Sequence, residues 1–437
     1  MRQLQYIFLG LFTLFFCVGK MNAQEVLTLE DAVKIALENN YEIKIASNNL
    51  EIDKTNVDAG NSGMLPVATA SIIDNNSVQS GSQTRTDGTM TEFDNAKNNS
   101  LNYGVGLDWT IFDGFRMFAR YDQLKELRKL GESRLKLTII TKVSDVYSAY
   151  YDLVQQQQQL QALDTTIVIS NQRLTLAQNR FSIGTASKLE VLNAQVDLNT
   201  DTTAMLRQKE SYQNAKITLN QILARAAETD FRVIENIRVD SKLLLPELTA
   251  LAEKQNPELE QQIINKRVAE LQLKQVRAGR YPQVRLNTGY SFAETKSSVG
   301  FTSSSEARGF NYGFSASLNL FDGFSQRRNE RIAKLQIENS TIAIEQQGLA
   351  LNSQLTSAYQ TYLTNILLID LEQKNEVIAK QNLDITMDKF HIGTITTLEF
   401  RTAQLNYINA KVRNSNAQFQ AKLSEISLKE LAGNLSI

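Results

Sequence analysis

Two glutamates recur in matched settings. Glu190 closes RFSIGTASKLE (180–190) and Glu399 closes KFHIGTITTLE (389–399), each three residues after a hydroxyl, Ser187 or Thr396. A glycine at the end of a long helix, here Gly184 or Gly393, is a C-cap signal. Ser/Thr-x-x-Glu is a capping box: the hydroxyl caps the next helix and the glutamate reaches back to the cap residue's N–H. His391, the only histidine, reads as an exposed residue beside the second turn rather than a pH sensor. The only cysteine, Cys17, falls in an N-terminal apolar stretch. That leaves no transition-metal cluster and no Ser-His or Cys-His nucleophile. A phosphate-cradling glycine loop is also missing from the sequence. The sequence predicts no enzyme activity and no cofactor.

A second recurring feature is IFDGF (111–115) and LFDGF (320–324). Sliding the chain by 209 residues superposes them, together with Tyr103-Gly104 on Tyr312-Gly313, Ser148-Ala149-Tyr150 on Ser357-Ala358-Tyr359, and Ile183-Gly184-Thr185 on Ile392-Gly393-Thr394. VDAGNSGMLP (57–66) matches VRAGRYP (276–282) with a three-residue gap. This is a tandem duplication. It predicts a first repeat over 24–226, a linker over 227–246 and a second repeat over 247–437. Residues 1–23 read as a signal peptide, with Arg2, an apolar run from Tyr6 to Val18, and Ala23 for cleavage. That run is too short for a transmembrane helix.

Length and charge set further bounds. The 437 residues carry a formal net charge of -1, which gives no basis for nucleic-acid binding. The four prolines, Pro66, Pro246, Pro257 and Pro282, leave 67–245 and 283–437 free to form long helices. Long helices are expected over 115–181 and 324–390, and shorter ones over about 28–60, 187–226, 247–279 and 396–432. At 1.5 Å per residue the long ones reach roughly 100 Å. Val143, Val146, Tyr150 and Leu153 have coiled-coil spacing, resumed by Leu160, Leu163, Ile167, Leu174, Ala177 and Phe181 after a slip at the glutamine run 155–159, itself read as a solvated face.

Period-2 alternation predicts strands over about 66–78, 100–112, 283–294 and 309–321, with Ser/Gly/Thr/Asn-rich loops at about 80–98 and 295–308. Leu101, Tyr103, Val105, Leu107, Trp109 and Ile111 form one apolar face; Phe310, Tyr312, Phe314, Leu318 and Leu320 repeat it. Outward apolar, inward polar segments of about ten residues suit an outer-membrane barrel. Four strands cannot close one, so a barrel in a membrane must be shared between chains; two chains would give eight strands with a filled interior, and three, the favoured number, give twelve and leave a lumen.

Taken in order and duplicated behind a signal peptide, the AGxxxP-like helix exits, the FDGF strand exits and the IGT turns resemble the outer membrane efflux proteins of the TolC type over about 28–433. The resemblance implies a mainly α homotrimer with a shared twelve-stranded membrane β-barrel continued by a periplasmic helical barrel. It also implies docking to a periplasmic adaptor protein and to an inner-membrane pump, either of the resistance-nodulation-division type or ATP-driven. The location is the outer membrane of a Gram-negative cell with a large periplasmic part. The chain stops at Ile437 just after its last helix, so equatorial structure is expected mostly from 227–246.

By the same resemblance, Ile183, Gly184, Thr185, Ile392, Gly393 and Thr394 form turns, 181–187 and 390–396, gripped by the adaptor. Glu190 and Glu399 match acidic positions near the closed end of the duct, where like charges repel and bind cations. The basic residue of the family's gate is replaced by Ile395, leaving Lys188 and Arg401 as candidate gate neighbours. Trp109, Phe112, Phe115, Phe321 and Phe324 suit a membrane–water interface, with Arg116, Arg120, Arg327, Arg328 and Arg331 toward lipid phosphates. The alternative is a periplasmic adhesion or structural coiled coil without a barrel, which leaves the alternating strands unexplained; a diffusion porin leaves the long helices unexplained.

Overall fold

The computed structural model describes residues 25–234, 236–300 and 302–435, so the signal-peptide reading lies outside the described residues. In chain order the elements are β1 (Glu25–Leu27), α1 (Leu29–Asn39), α2 (Tyr41–Asn56), α3 (Ala59–Ser62), β2 (Val67–Thr84), β3 (Met90–Phe112), α4 (Arg116–Ser182) and α5 (Lys188–Ile222). Then follow β4 (Phe231–Val233), α6 (Leu245–Gln255), α7 (Pro257–Arg277), a single 3₁₀ turn, β5 (Gln283–Ser297), β6 (Ser304–Ser317), α8 (Ser325–Ile392) and α9 (Thr397–Leu431). Residues 47–134 and 258–347 form one compact unit; the remainder form another, and α4 and α8 contribute to both. Among the described residues no helix is long and apolar enough to cross a membrane.

The first unit holds an antiparallel sheet ordered β2-β3-β5-β6. Glycines on its polar face let the backbones crowd: a Cβ on Gly289 would lie 2.7 Å from the Val105 carbonyl oxygen. On the apolar face Tyr103 stacks on Phe292 at 4.9 Å. Several strand boundaries differ from expectation; the loop expected at 295–308 narrows to the residues between Ser297, where β5 ends, and Ser304, where β6 starts. The segment expected as a loop at 80–98 is mostly strand, pairing from Gln79↔Ala96 to Thr84↔Met90 around a turn at 85–89. A bulge between Gln79 and Gly81 and a left-handed Asn95 (φ 53) interrupt the ladder. Backbone pairing holds this ribbon rather than apolar burial, so it leaves no period-2 signal. Conversely, β6 stops at Ser317 instead of reaching 321. Its counterparts Trp109, Thr110 and Phe112 are strand because β5 pairs with them; Leu318 to Phe321 have no neighbouring strand in the single chain.

Each FDGF segment turns the chain from sheet into helix. Gly114 (φ 73) and Phe115 (φ 69) are consecutive left-handed residues, as are Gly323 (φ 64) and Phe324 (φ 63). A bulky side chain in that region is held only where the surroundings over-determine it. The aspartates supply part of that: the Asp113 carboxylate accepts from the Met117 N–H at 3.0 Å, and Asp322 from the Gln326 N–H at 2.7 Å, satisfying first-turn donors. Phe112 meets Phe115 edge-on at 5.3 Å, and Phe321 meets Phe324 at 5.5 Å.

Beside the second joint, Arg280 grips the buried Glu330 carboxylate with two donors, at 2.5 and 2.8 Å. The Arg280 guanidinium and the Gln326 amide hold Glu330 down to about 2, far below the usual glutamate range. A depressed carboxylate stabilises the fold above its unfolded pKa and loses that contribution as pH falls through the folded value. The stability difference between the native chain and Glu330→Gln is therefore full at neutral pH and drains away between about 4.5 and 2. Paired denaturation curves over that range check this; a difference independent of pH would overturn it.

The second unit is built on the repeat. Val143, Val146, Tyr150 and Leu153, the coiled-coil positions, are buried in its largest core with Leu219, Leu223 and Phe231. The repeated tyrosines play matched roles: the Tyr150 hydroxyl donates to the Leu27 carbonyl at 3.1 Å and the Tyr359 hydroxyl to the Leu243 carbonyl at 3.3 Å. The first helix of each repeat, expected unbroken, is split at an asparagine. Asn40 and Asn256 stop α1 and α6 and reach, through their side-chain amides, the Ile222 and Leu431 carbonyls at 2.9 and 3.0 Å, at the ends of α5 and α9. The linker supplies β4, which pairs in parallel with β1.

Two readings of α4 are corrected. The helix is unbroken through the glutamine run, as expected, but that run is not a solvated face. Gln155 and Gln159 bond to Asn416, Ser415 donates to Gln158 at 2.8 Å, and Gln208 donates to Gln156 at 2.7 Å. Beyond it the buried stripe is Ala162, Thr166, Ser170, Arg173 and Ala177, whereas Phe181 is exposed. Thr166 bonds back to the Ala162 carbonyl, and Ser170 and Arg173 belong to the network described next.

Candidate functional site

The α4–α5 and α8–α9 turns share one construction. Gly184 (φ 77) and Gly393 (φ 87) are left-handed, so a glycine is needed at each. The Thr185 N–H reaches back to the Arg180 carbonyl at 2.8 Å and its hydroxyl bonds to the same oxygen at 3.1 Å; Thr394 does likewise to Lys389 at 3.0 and 3.1 Å. These bonds close the last helical turn in the Schellman manner. Ser187 and Thr396 then cap α5 and α9, accepting from the Glu190 and Glu399 N–H groups at 3.4 and 3.2 Å. Only this half of the capping box forms among the described residues. The Glu190 carboxylate faces Arg180 at 4.0 Å instead, and Glu399 is exposed.

Glycine and threonine are thus explained by the turn itself; the isoleucines are not. Ile183 is 74% exposed and Ile392 78%, and Leu189 and Leu398 are exposed beside them. Each turn presents two large apolar side chains to solvent in the single chain.

The two turns differ in how they are anchored. Phe390 is 2% exposed, stacks on Phe400 at 4.9 Å, and lies under the Arg180 guanidinium, which also donates to its carbonyl at 2.6 Å. The first repeat has the smaller Val191 where the second has Phe400, and Phe181 is left exposed.

Of the candidate gate neighbours, Lys188 is exposed and makes no ion pair among the described residues. Arg401 is not brought to Glu399; it sits half-buried in a network that sequence reasoning missed. Its two terminal nitrogens each meet an Asp201 oxygen at 2.7 Å, and its Nε lies 3.7 Å from Asp197. Arg173 pairs with Asp197, Ser170 donates to Asp201 at 2.6 Å, and Gln404 donates to Ser170 at 2.9 Å. Burial alone would lower the Arg401 pKa, but the hydrogen bond and charge of Asp201 outweigh it and raise it further. The available signal was two aspartates one turn apart on α5, of which Asp201 is buried and Asp197 half-buried. The network ties α4, α5 and α9 together.

The interface aromatics lie at the strand–helix joints: Trp109, Phe115, Phe321 and Phe324 are exposed, Phe112 is half-buried, and the Trp109 indole N–H donates to the Met64 carbonyl at 2.9 Å. Arg116, Arg120, Arg327, Arg328 and Arg331 are exposed just beyond.

Residues 32–225 and 248–434 each match the family described as outer membrane efflux protein. The chain is 22% identical over 367 residues to the outer membrane protein TolC of Escherichia coli (strain K12), spanning 76% of this chain and 74% of that protein. It is also 22% identical to TolC of Vibrio cholerae over 323 residues, 72% of this chain and 73% of that protein. Among solved structures, the Campylobacter jejuni CmeC outer membrane channel matches with a TM-score of 0.77 at 17% identity, covering 93% of this chain and 85% of that one. The open state of the Neisseria gonorrhoeae MtrE outer membrane channel gives a TM-score of 0.70 at 16% identity, covering 93% and 89%. An adhesion coiled coil without a barrel is set aside by these matches. With two family matches, one in each repeat, the chain belongs to the outer membrane efflux protein family.

Proposed function

We propose that three copies of this chain form the exit duct of a tripartite export system, conducting cargo passively from an inner-membrane pump and a periplasmic adaptor to the exterior. The observation that carries the reading is the sheet. It has four strands with unpaired edges at β2 and β6, and an apolar face on which Phe310, Tyr312 and Phe314 are exposed. Free edges are not tolerated in lipid, so closure requires other chains, and the exposed aromatics then face the acyl chains. The joint aromatics sit at the periplasmic membrane interface, with the exposed arginines beyond them toward phosphates.

In this reading the paired turns receive the adaptor through Ile183 and Ile392, held out by the Gly184-Thr185 and Gly393-Thr394 closures. Glu190 and Glu399 form the constriction. Lys188 is left as the basic neighbour free to act there, since Arg401 is occupied by Asp201. Nothing in the duct performs catalysis; the pump, of the resistance-nodulation-division or the ATP-driven type, supplies the energy.

Planar-bilayer recording of the purified protein tests this. Discrete conductance is expected, blocked from the periplasmic side by multivalent cations at micromolar to millimolar concentration. Glu190→Gln/Glu399→Gln weakens the block by at least tenfold without removing conductance, because six carboxylates no longer concentrate cations. Absence of conductance would sink the duct; unchanged block would sink the carboxylate constriction.

A further inference from the structure

The repeat makes the junction inside one chain a template for the junction between chains. Val67↔Asp108 in β2–β3 and Gln283↔Ser317 in β5–β6 are the same pair, since Asp108 recurs 209 positions on as Ser317 and Val67 recurs 216 positions on as Gln283. The two hairpins therefore have one register. The two repeats meet within the chain through β3–β5, where Asp108 faces Asn287, Gly104 faces Ser291 and Trp109 faces Leu286. The same shifts carry these pairs to Ser317 and Ser71, Gly313 and Asn75, and Leu318 and Ala70, which lie on the two unpaired edges.

The geometry points to a defined register between copies: β6 of one chain pairs antiparallel with β2 of the next, with Ser317 opposite Ser71 and Gly313 opposite Asn75. The inference rests on the trimer proposed above and specifies how its seams close.

Three independent features of the single chain are accounted for by this register. The first is the early end of β6, whose missing residues from Leu318 to Phe321 gain Ala70 to Ala68 of the next copy as partners, as Trp109 to Phe112 have β5. The second is the space beside Gly323. A Cβ on Gly114 would collide with the Ala278 carbonyl and lie 2.8 Å from the Tyr281 Cβ, whereas one on Gly323 meets nothing within 4 Å. The counterparts of Ala278 and Tyr281 are Ala59 and Leu65, and Leu65 is exposed. In the assembly these fill the space beside Gly323 of the neighbour. The third is a helix face. Leu271 of α7 is 5% exposed, on the stretch where Gln272 and Gln275 bond to Gln123 of α4. Its counterpart Ile52 on α2 is 58% exposed, and Ile332 of α8, the counterpart of Gln123, is exposed too. Both exposed isoleucines then fall at the seam, where Leu271 is buried within the chain.

Cysteine crosslinking in the full chain, in cells, in a Cys17→Ser background tests it. Ser71 and Ser317 lie on opposite edges of a four-stranded sheet, three spacings of ~4.8 Å across, and Ser71's row ends at Gly309, well along β6 from Ser317, so they cannot join within one chain. Ser71→Cys/Ser317→Cys is expected to give a covalent trimer on oxidation, as is Asn75→Cys/Gly313→Cys. Ser71→Cys/Gly313→Cys, displaced by four residues, is expected to crosslink at least tenfold more slowly. Covalent trimers formed faster by the displaced pair would overturn the register and leave the trimer standing. Failure of every pair in membrane-inserted protein would overturn the shared sheet itself.

Discussion

Changing Ile183 and Ile392 together to aspartate is expected to reduce export to the level of cells lacking the protein, with its amount and membrane insertion unchanged. Both side chains project from turns whose backbone is fixed by other residues, Gly184 with Thr185 and Gly393 with Thr394, so the substitutions leave the fold untouched. Burying an isoleucine against a partner contributes about 1.5–3 kcal/mol, and a carboxylate there adds a desolvation cost, so each turn loses roughly 10- to 100-fold in affinity. In the proposed trimer six such turns compound that loss. Dye efflux and crosslinking to the adaptor are the measurements; normal efflux by the double variant would remove the turns from docking. Gly184→Trp also abolishes export in this view, but it mixes bulk with backbone strain. Gly184→Ala separates them: the left-handed strain of about 1–2 kcal/mol alone leaves efflux largely intact.

The sequence made some of this legible through the repeat. Elements recognised by an apolar period or by duplication, such as β3 with Tyr103 and Val105 or the IGT turns, were readable because side-chain type and local geometry agree there. The ribbon around Gly81 and Phe93 was not, since ladder hydrogen bonds hold it and leave no pattern in residue type. The end of β6 has no neighbouring strand within the single chain, so its extent cannot be read from this chain's sequence alone. Asn40 and Asn256 look like ordinary helical polar residues until their amides are seen closing the ends of α5 and α9. The charge network escaped for a related reason: Arg173, Asp197, Asp201 and Arg401 come from three helices, and only folding brings Arg401 to Asp201 rather than to Glu399, two residues away in sequence.

That network carries the second large effect. Arg401→Ala is expected to loosen the helices that hold the turns, by about 3–5 kcal/mol, because it leaves the Asp201 carboxylate buried with Ser170 as its remaining donor. A loss of that size raises the open fraction of this region by roughly two to nearly four orders of magnitude. Hydrogen exchange along α5 and α9 and tryptic cleavage at Arg180, Lys188 and Lys389 report it. Asp201→Asn costs less, since Arg401 keeps Asp197 and Gln404 within reach. Arg401→Met/Asp201→Leu removes both charges and fills the space, and buried pairs replaced in this way are often neutral or stabilising. Near-native protection in the double variant with strong loss in Arg401→Ala would mean that the pair selects which helices pack together more than it adds stability. Equal loss in both would mean the guanidinium is itself irreplaceable, as the only group among the described residues that bridges Asp201 and Asp197 while α9 closes over them.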